Sequence, residues 1–440
     1  MSAELLIEAN AVEVRAGLVR DGRLADLVIE PLTSESLVGS IWLGRVRKLL
    51  PNGRAAFVDI GQDQNGFLNA TDIPGHAERP IAQLVHEGQA LVVQVSKDPV
   101  AEKGAALTAD ITLPGRFLVL TPGANGATVS RRIADAAERD RLSAALRDLS
   151  PGCIVRTAAA GQEAMLLRSE HAVLAARGAA IEARRSTVEA PALLWREDSA
   201  VHRVLRDFSS GADRIVVDPP EALGEARRWA ETMAPDLLPR LNGHTGAGLP
   251  FDTWDLDAEI AALQAERVTL PSGASLRFGA AAALTAVDVD YGSARAPALA
   301  INLEAAAEIA RQLRLRGIGG VIVIDFLRLR ARDEAAQVVA ALRKALTDDA
   351  APTRVLEMSE LGLVEMTRRR LGDPLNVRLA RGGHAALAGL CRDVRRAART
   401  APGRPLRAIL PAAALAAVPA GLAGKLAAEL GAAVELVPRP

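Results

Sequence analysis

Two carboxylates, Asp288 and Asp325, each close an apolar run rich in β-branched residues. One run is Ala286-Val287-Asp288-Val289-Asp290 and the other is Gly319-Gly320-Val321-Ile322-Val323-Ile324-Asp325-Phe326. Carboxylates brought close together repel unless a cation or a proton lies between them. A few hard oxygen ligands suit Mg²⁺, which keeps part of its water shell and takes the rest from phosphate. A single Asp after a strand is more often a turn former. A pair that frames one crossover reverses that preference and reads as a site for a divalent cation.

The elements that must position the pair follow from the same stretch. Both apolar runs read as buried strands. Between them Asn302 is the expected N-cap, Leu303 to Arg316 is amphipathic, and Gly317 is the expected stop. A strand–helix–strand unit with a right-handed crossover lays its strands parallel, so their carboxyl ends share an edge. Open α/β sheets place their sites at that edge. Asp290 adds a third carboxylate on the strand face of Asp288, two residues on.

The chain of 440 residues is long enough for several domains, and 49% hydrophobic residues suffice for real cores. Aromatics are 3%, so those cores are aliphatic. A net charge of zero gives no overall basic signal for nucleic acid. Lys is scarce and Arg abundant; Arg is the better fork for phosphate and the better stacking partner for bases, although GC-rich codon usage gives the same excess. Cys153 and Cys391 lie far apart, which excludes a disulfide framework and a Cys-rich zinc site, and Cys391 reads as a buried thiol. Ser2 to Asn10 is short and carries two Glu, so no signal peptide is expected. The apolar run Ala412 to Leu422 is too short to span a bilayer and contains Pro419. The expectation is a cytoplasmic protein with no membrane span.

In chain order, Glu4 to Glu30 reads as strands with a hairpin at Asp21-Gly22, which must join a sheet completed later. Ser36 to about Leu113 holds five short strands, Ser40 to Val46, Ala55 to Ile60, Gly66 to Leu68, Ala90 to Ser96 and Ala105 to Ile111, split by turn signals such as Pro51-Asn52-Gly53. That pattern fits a small barrel of the OB type. Pro114 to about Arg203 alternates strand and helix. Asp213 to Asp218 is a strand, Glu221 to Met233 a helix, and Trp254 to Arg267 is helical. From Val268 strands and helices alternate, with a helix over Leu361 to Leu371. Leu379 to Pro440 forms a final small domain of two helices and two strands.

The wording of several stretches resembles the RNase E/G family of bacterial endoribonucleases. "EIARQLRLRGIGGVIVIDF" and "LTAVDVDYGSAR" are similar to its catalytic core, "GSIWLGRVRKLLPNGRAAFVDIGQDQNGFLNATDI" to its OB-fold insert, "VSRRI" and "IVRTA" to its five-prime-end sensor, and "LGLVEMTRRRL" to a basic segment near the scissile phosphate. The resemblance covers nearly the whole chain. It implies an α/β and β multidomain fold. An RNase-H-like structural subdomain (1–35 plus 204–264) would carry the inserted OB-fold barrel (36–113) and sensor (114–203). A DNase-I-like α/β catalytic domain (265–375) and a small C-terminal α/β domain (376–440) would follow. It also implies that Asp288 and Asp325 hold catalytic Mg²⁺, with Mn²⁺ as the alternative metal. Phe57 and Phe67 would stack on bases and Lys103 would meet phosphate. Arg156 and Thr157, with Arg131 and Arg132 nearby, would grip a 5′-monophosphate, and Arg368, Arg369 and Arg370 would flank the RNA.

The chain departs from the family in three places. Asp290 stands where the family has Asn, the Gly-rich linker before the helix is shorter, and the Cys-x-x-Cys zinc link after Leu371 is missing. No zinc is expected, and a homodimer would need packed surface instead. The long disordered tail of RNase E is not expected either. The resemblance therefore implies a magnesium-dependent endoribonuclease that cuts single-stranded RNA, favours 5′-monophosphorylated ends and serves RNA processing and decay. A non-catalytic or weakly active RNA-binding member of the same family is the alternative. A phosphodiesterase for small nucleotides would need no OB domain.

Overall fold

A computed structural model describes the chain except residues 1, 33–35, 52, 77–78, 100–102, 197–198, 348, 381–383, 411–414, 416–417, 419–420 and 439–440. Asn52 of the expected turn and most of the apolar run with Pro419 lie outside the described residues. The chain divides into two compact units. One comprises Met1–Thr33, Ala212–Leu223 and Asn242–Pro440, and the other Ser34–Gly211 and Gly224–Leu241.

In the first unit the N-terminal hairpin forms as expected. Strands Glu13–Arg20 and Arg23–Pro31 are joined by Asp21 and Gly22, whose φ angles of 50° and 76° are both positive. That two-residue turn matches the right-handed twist of the flanking strands. Strand Ala3–Ala9 pairs antiparallel with Glu13–Arg20 and parallel with Arg214–Asp218. The hairpin thereby joins a five-stranded sheet that residues some 200 positions later complete.

A second sheet in this unit has six strands in the order Arg267–Thr269, Ser275–Ala280, Leu284–Asp290, Gly320–Asp325, Leu363–Arg368 and Thr353–Met358. Leu284–Asp290 and Gly320–Asp325 run parallel; the other pairings in the sheet are antiparallel. Helices Ala298–Leu315 and Arg332–Ala345 cover one face, where Leu276, Val287, Val289, Ile322 and Ile324 pack with Ile301, Ile309, Val338 and Leu342. The other face is exposed at Arg277, Asp288, Asp325 and Glu365. The two Asp strands are thus buried on one face only, not on both. The C-terminal part of the unit has helix His384–Thr400, the parallel strands Leu406–Leu410 and Val434–Pro438, and helix Leu422–Leu430.

Three expected elements differ. The helix before Gly317 begins at Ala298 behind Pro297, so Asn302 lies within it and is not its cap; Ala298 to Ile301 are helix formers that extend it upstream. Leu363–Arg368 is a strand, not part of a helix. Val364, Met366 and Arg368 are buried while Glu365 and Thr367 are exposed, a period of two that a sheet satisfies. The stretch from Trp254 to Arg267 breaks into a short turn at Pro250–Trp254, the helix Leu256–Ala262 and the strand Arg267–Thr269. Asp255 takes positive φ between the first two.

In the second unit, strands Ile41–Leu49, Ala55–Asp59, Gly66–Asn69, Ala106–Thr108 and Ala90–Lys97 follow one another, and Ile41–Leu49 pairs with Ala90–Lys97 to close a five-stranded barrel. Strand Ala192–Trp195 adds to its outside. Trp42, Val58, Leu68, Val93 and Leu107 fill the interior. A separate four-stranded sheet, ordered Ala127–Val129, Gly152–Val155, Leu118–Thr121 and Leu113–Pro114, is accompanied by helices Ala136–Leu146 and Ala164–Arg185. The molecule is a mixed α/β multidomain protein with an OB-like barrel. No helix among the described residues is long and apolar enough to cross a membrane.

Candidate active site

Asp288 and Asp325 are register partners on the parallel strands Leu284–Asp290 and Gly320–Asp325. Val287, Val289 and Ile324 point into the core, so alternation sends both Asp side chains to the open face, where both are exposed. No hydrogen-bond or ion-pair partner engages either carboxylate among the described residues. Two free carboxylates side by side fit a hard divalent cation that takes its remaining ligands from water and phosphate.

The backbone behind the pair is tied down. Gly317 takes φ 65° and ends the crossover helix. Asn302, fully buried, uses its side-chain amide to donate to the Leu327 carbonyl at 2.8 Å and to accept the Leu327 N–H at 3.0 Å. Leu327 follows Asp325 by two residues, so the helix grips the loop that leaves the Asp strand.

Asp290 shares the face of Asp288, but its carboxylate accepts the N–H of Gly292 at 2.8 Å, the bond of an Asx turn. Among the described residues no group of three or more His, Cys, Asp or Glu is arranged to hold a metal. Asp288 and Asp325 thus form the register pair, and Asp290 stands two residues on with one oxygen in its own turn.

The three arginines of the basic segment separate. Arg368 is 5% exposed, and its guanidinium donates twice to Asp349, at 2.8 and 2.9 Å, and once to the Ile318 carbonyl at 2.7 Å. It is committed to the core and cannot face RNA, because it is an inward residue of the strand Leu363–Arg368. Arg369 and Arg370 are exposed. The strand is antiparallel to Gly320–Asp325, with Arg368 opposite Gly320 and Leu363 opposite Asp325. Arg369 and Arg370 thus lie past the start of the Asp325 strand, roughly 16 Å from its acidic end.

On the barrel, Phe57 and Phe67 are cross-strand partners with ring centroids 5.9 Å apart in an edge arrangement. Both are half-buried, while Ala56, Val58 and Leu68 beside them fill the interior. The rings belong to the outer surface. Register extends the row to Lys48 on one side and through Ala106 to Lys97 on the other. Two rings flanked by ammonium groups can stack bases and pair phosphates. Lys103 is exposed beside Gly104, whose backbone lies so close to the Asn65 carbonyl that a side chain would collide with it.

In the four-stranded sheet, Val129 and Val155 are parallel register partners, and Ser130 donates its N–H to the Val155 carbonyl. The segments carrying Arg131 and Arg132 and carrying Arg156 and Thr157 therefore leave the same edge. Arg131, Arg132 and Thr157 are exposed. Arg156 is already engaged: Nη1 donates to the Gly115 carbonyl at 2.6 Å and Nη2 to Asp207 at 2.8 Å. Burial pushes the Asp207 carboxyl up, but Arg206 and Arg156 outweigh it and hold it below the usual range.

Two features escaped the sequence reading. Asn302 signals its role only as an amide on the inward stripe of an amphipathic helix. The helix His384–Thr400 sends Arg392, Arg395, Arg396 and Arg399 to Glu13, Asp218, Asp252 with Asp257, and Asp218. Their spacing of i, i+3, i+4 and i+7 is a single helical stripe. Cys391 is buried as expected, and Cys153 is buried too; burial lifts Cys391 to about 12 and Cys153 to about 11.

The sequence model described as Ribonuclease E/G family matches residues 112–371. Ribonuclease G of Escherichia coli (strain K12) is 38% identical over 392 residues, covering 84% of this chain and 80% of that protein. Ribonuclease G of Haemophilus influenzae is 35% identical over 396 residues, covering 85% and 81%. Ribonuclease E of Nostoc sp. is 38% identical over 375 residues, covering 81% of this chain and 54% of that protein.

Proposed function

This chain belongs to the ribonuclease E/G family, and on that premise we propose that Asp288 and Asp325 form the cleavage site of a magnesium-dependent enzyme that prefers 5′-monophosphorylated, single-stranded RNA. The chain is an endoribonuclease of RNA processing. The observation that carries the metal reading is the register pairing of two free, exposed carboxylates at the ends of adjacent parallel strands. We read the six-stranded sheet as the DNase-I-like catalytic layer, the five-stranded sheet as the RNase-H-like subdomain and the four-stranded sheet as the five-prime sensor.

Asp288 and Asp325 would hold the metal through their free oxygens. Bound there, Mg²⁺ would supply Lewis-acid stabilisation of charge on phosphate oxygens. Asn302 keeps the loop after Asp325 in place, so the ligand oxygens need not reorganise. Phe57 and Phe67 stack bases without regard to sequence, with Lys48, Lys97 and Lys103 for phosphates. Arg156 and Thr157, joined by Arg131 and Arg132, take the terminal phosphate once Arg156 exchanges Asp207 for it. Arg369 and Arg370 serve RNA away from the cut. Products carry a 5′-phosphate and a 3′-hydroxyl.

Cleavage of a 5′-monophosphorylated single-stranded oligonucleotide, with and without Mg²⁺, tests the reading. The wild-type chain should cut only with Mg²⁺, and Asp325→Asn should fold normally, keep RNA binding and lose at least ~100-fold in rate. Near wild-type turnover by that variant would remove the Asp pair from the mechanism. RNA bound tightly and left whole by the wild-type chain would make it a non-catalytic member.

A further inference from the structure

At the level of the Asp pair the open face of the six-stranded sheet also carries two basic side chains, Arg277 next to Asp288 and, one strand further out, its register partner Arg267. Arg277, on the strand Ser275–Ala280, is the antiparallel register partner of Asp288. Leu276 and Phe278 beside it are buried against the helices, so alternation sends Arg277 to the open side, where it is exposed. Directly opposed residues on one sheet face have Cβ atoms about 5 Å apart. The guanidinium nonetheless has no hydrogen-bond or ion-pair partner among the described residues. Both the fork and the neighbouring carboxylate of Asp288 keep their bonding capacity.

The row beside it is bare. Gly279 and Ala286 are register partners on the same face, and a Cβ placed on Gly279 would meet nothing within 4 Å. A short strip without bulky side chains therefore lies alongside Arg277 and Asp288, and the row continues to Val323 and the exposed carboxylate of Glu365. Three carboxylates, Asp288, Asp290 and Asp325, would repel a polyanion entering that strip. A free guanidinium at its margin is the group that would hold one, since its fork matches phosphate oxygens two at a time.

We propose that Arg277 is a substrate-binding residue of the cleavage site and takes a phosphodiester next to the one that is cut. The inference rests on the reading of Asp288 and Asp325 as that site. Arg277 acts on RNA and not as a counter-charge for the acidic pair. The two roles differ in sign: a counter-charge competes with the metal, so its loss would ease metal binding, whereas a phosphate contact is lost with RNA affinity.

The experiment compares Arg277→Ala and Arg277→Lys in the full chain, with single-stranded RNA as the probe. In an otherwise wild-type background, Arg277→Ala should lower kcat/KM by roughly 10- to 100-fold, the usual effect of losing a charge-assisted hydrogen bond. Arg277→Lys should fall between, because it keeps the charge without the fork. In an Asp325→Asn background, where RNA stays whole, Arg277→Ala should weaken binding. It should also flatten the plot of log affinity against log salt by about 0.7, the change for one phosphate contact to a single strand. Unchanged affinity and salt slope would overturn the proposal, as would a lower Mg²⁺ requirement at unchanged RNA affinity. If the wild-type chain does not cut RNA, the reading of the Asp pair fails, and the salt slope still decides whether Arg277 binds phosphate.

Discussion

Asn302 and Leu327 hold each other through both ends of one amide, with Nδ2 donating to the Leu327 carbonyl at 2.8 Å and the Leu327 N–H donating to Oδ1 at 3.0 Å. The clamp joins the buried Asn302 amide to the half-buried Leu327, two residues beyond Asp325. Asn302→Ala would leave a half-buried N–H and C=O without partners, at a cost of ~1 kcal/mol or more. It should also free the loop that aims Asp325. We expect a lower melting temperature and a several-fold higher Mg²⁺ concentration for half-maximal cleavage at saturating RNA. A fall in melting temperature with an unchanged Mg²⁺ requirement would make the clamp purely structural.

In the proposed sensor Arg156, bonded to Asp207 at 2.8 Å, would reach a terminal phosphate only by exchanging Asp207 for it. Arg156→Ala should erase most of the preference for 5′-monophosphate over 5′-hydroxyl RNA. Asp207→Asn should act in the opposite direction, because a neutral amide competes less for the guanidinium. Competition cleavage of the two RNAs by the three proteins reads both effects. Equal cutting of the two RNAs by the wild-type chain would end the sensor assignment, and a preference unmoved by Asp207→Asn would show that Asp207 does not compete.

The parallel pair of Asp strands was readable because β-branched runs, a crossover of helical length and Gly317 all agree locally. The hairpin at Asp21-Gly22 and the barrel strands were readable for the same reason. The segment Leu361 to Leu371 misled because Val364, Met366 and Arg368 alternate inward while a charged tail suggests a helix end. Only the pairing with Gly320–Asp325 decides it, and that contact is remote in sequence. Asn302 was misplaced by one turn because capping residues also serve buried hydrogen bonds. The commitments of Arg368 to Asp349 and of Arg156 to Asp207 depend on tertiary partners that no local pattern announces.

Asp290 was expected to add a third metal carboxylate, and its Oδ1 also accepts the Gly292 N–H. An Asn side chain offers the same acceptor. Asp290→Asn should therefore preserve the turn and remove only a nearby charge. We expect the Mg²⁺ requirement to rise less than about threefold, as for a screened, exposed charge. A rise beyond tenfold in a Mg²⁺ titration of cleavage would make Asp290 a ligand after all.

The arginine stripe of the helix His384–Thr400 makes the C-terminal part of its unit acid-sensitive. Burial, the largest influence, pushes the carboxyls of Glu13, Asp252 and Asp257 up, but their partners outweigh it. His384 and Arg392 hold Glu13 below its ordinary value of 4.5. Arg396 holds Asp252, and Arg15 with Arg396 holds Asp257, below 3.8. A carboxyl depressed in the folded state contributes stability that is present above its unfolded value and lost as pH falls through its folded one. The melting temperature should therefore be flat in this respect from pH 7 to about 5, then fall below about pH 4.5 as these groups protonate. Arg396 donates to both Asp252 and Asp257, so Arg396→Ala should lower the plateau and shrink the acid-side fall. Melting curves of both proteins from pH 7 to 3 provide the check. Parallel curves, equally displaced at every pH, would show that these ion pairs do not set the acid limit.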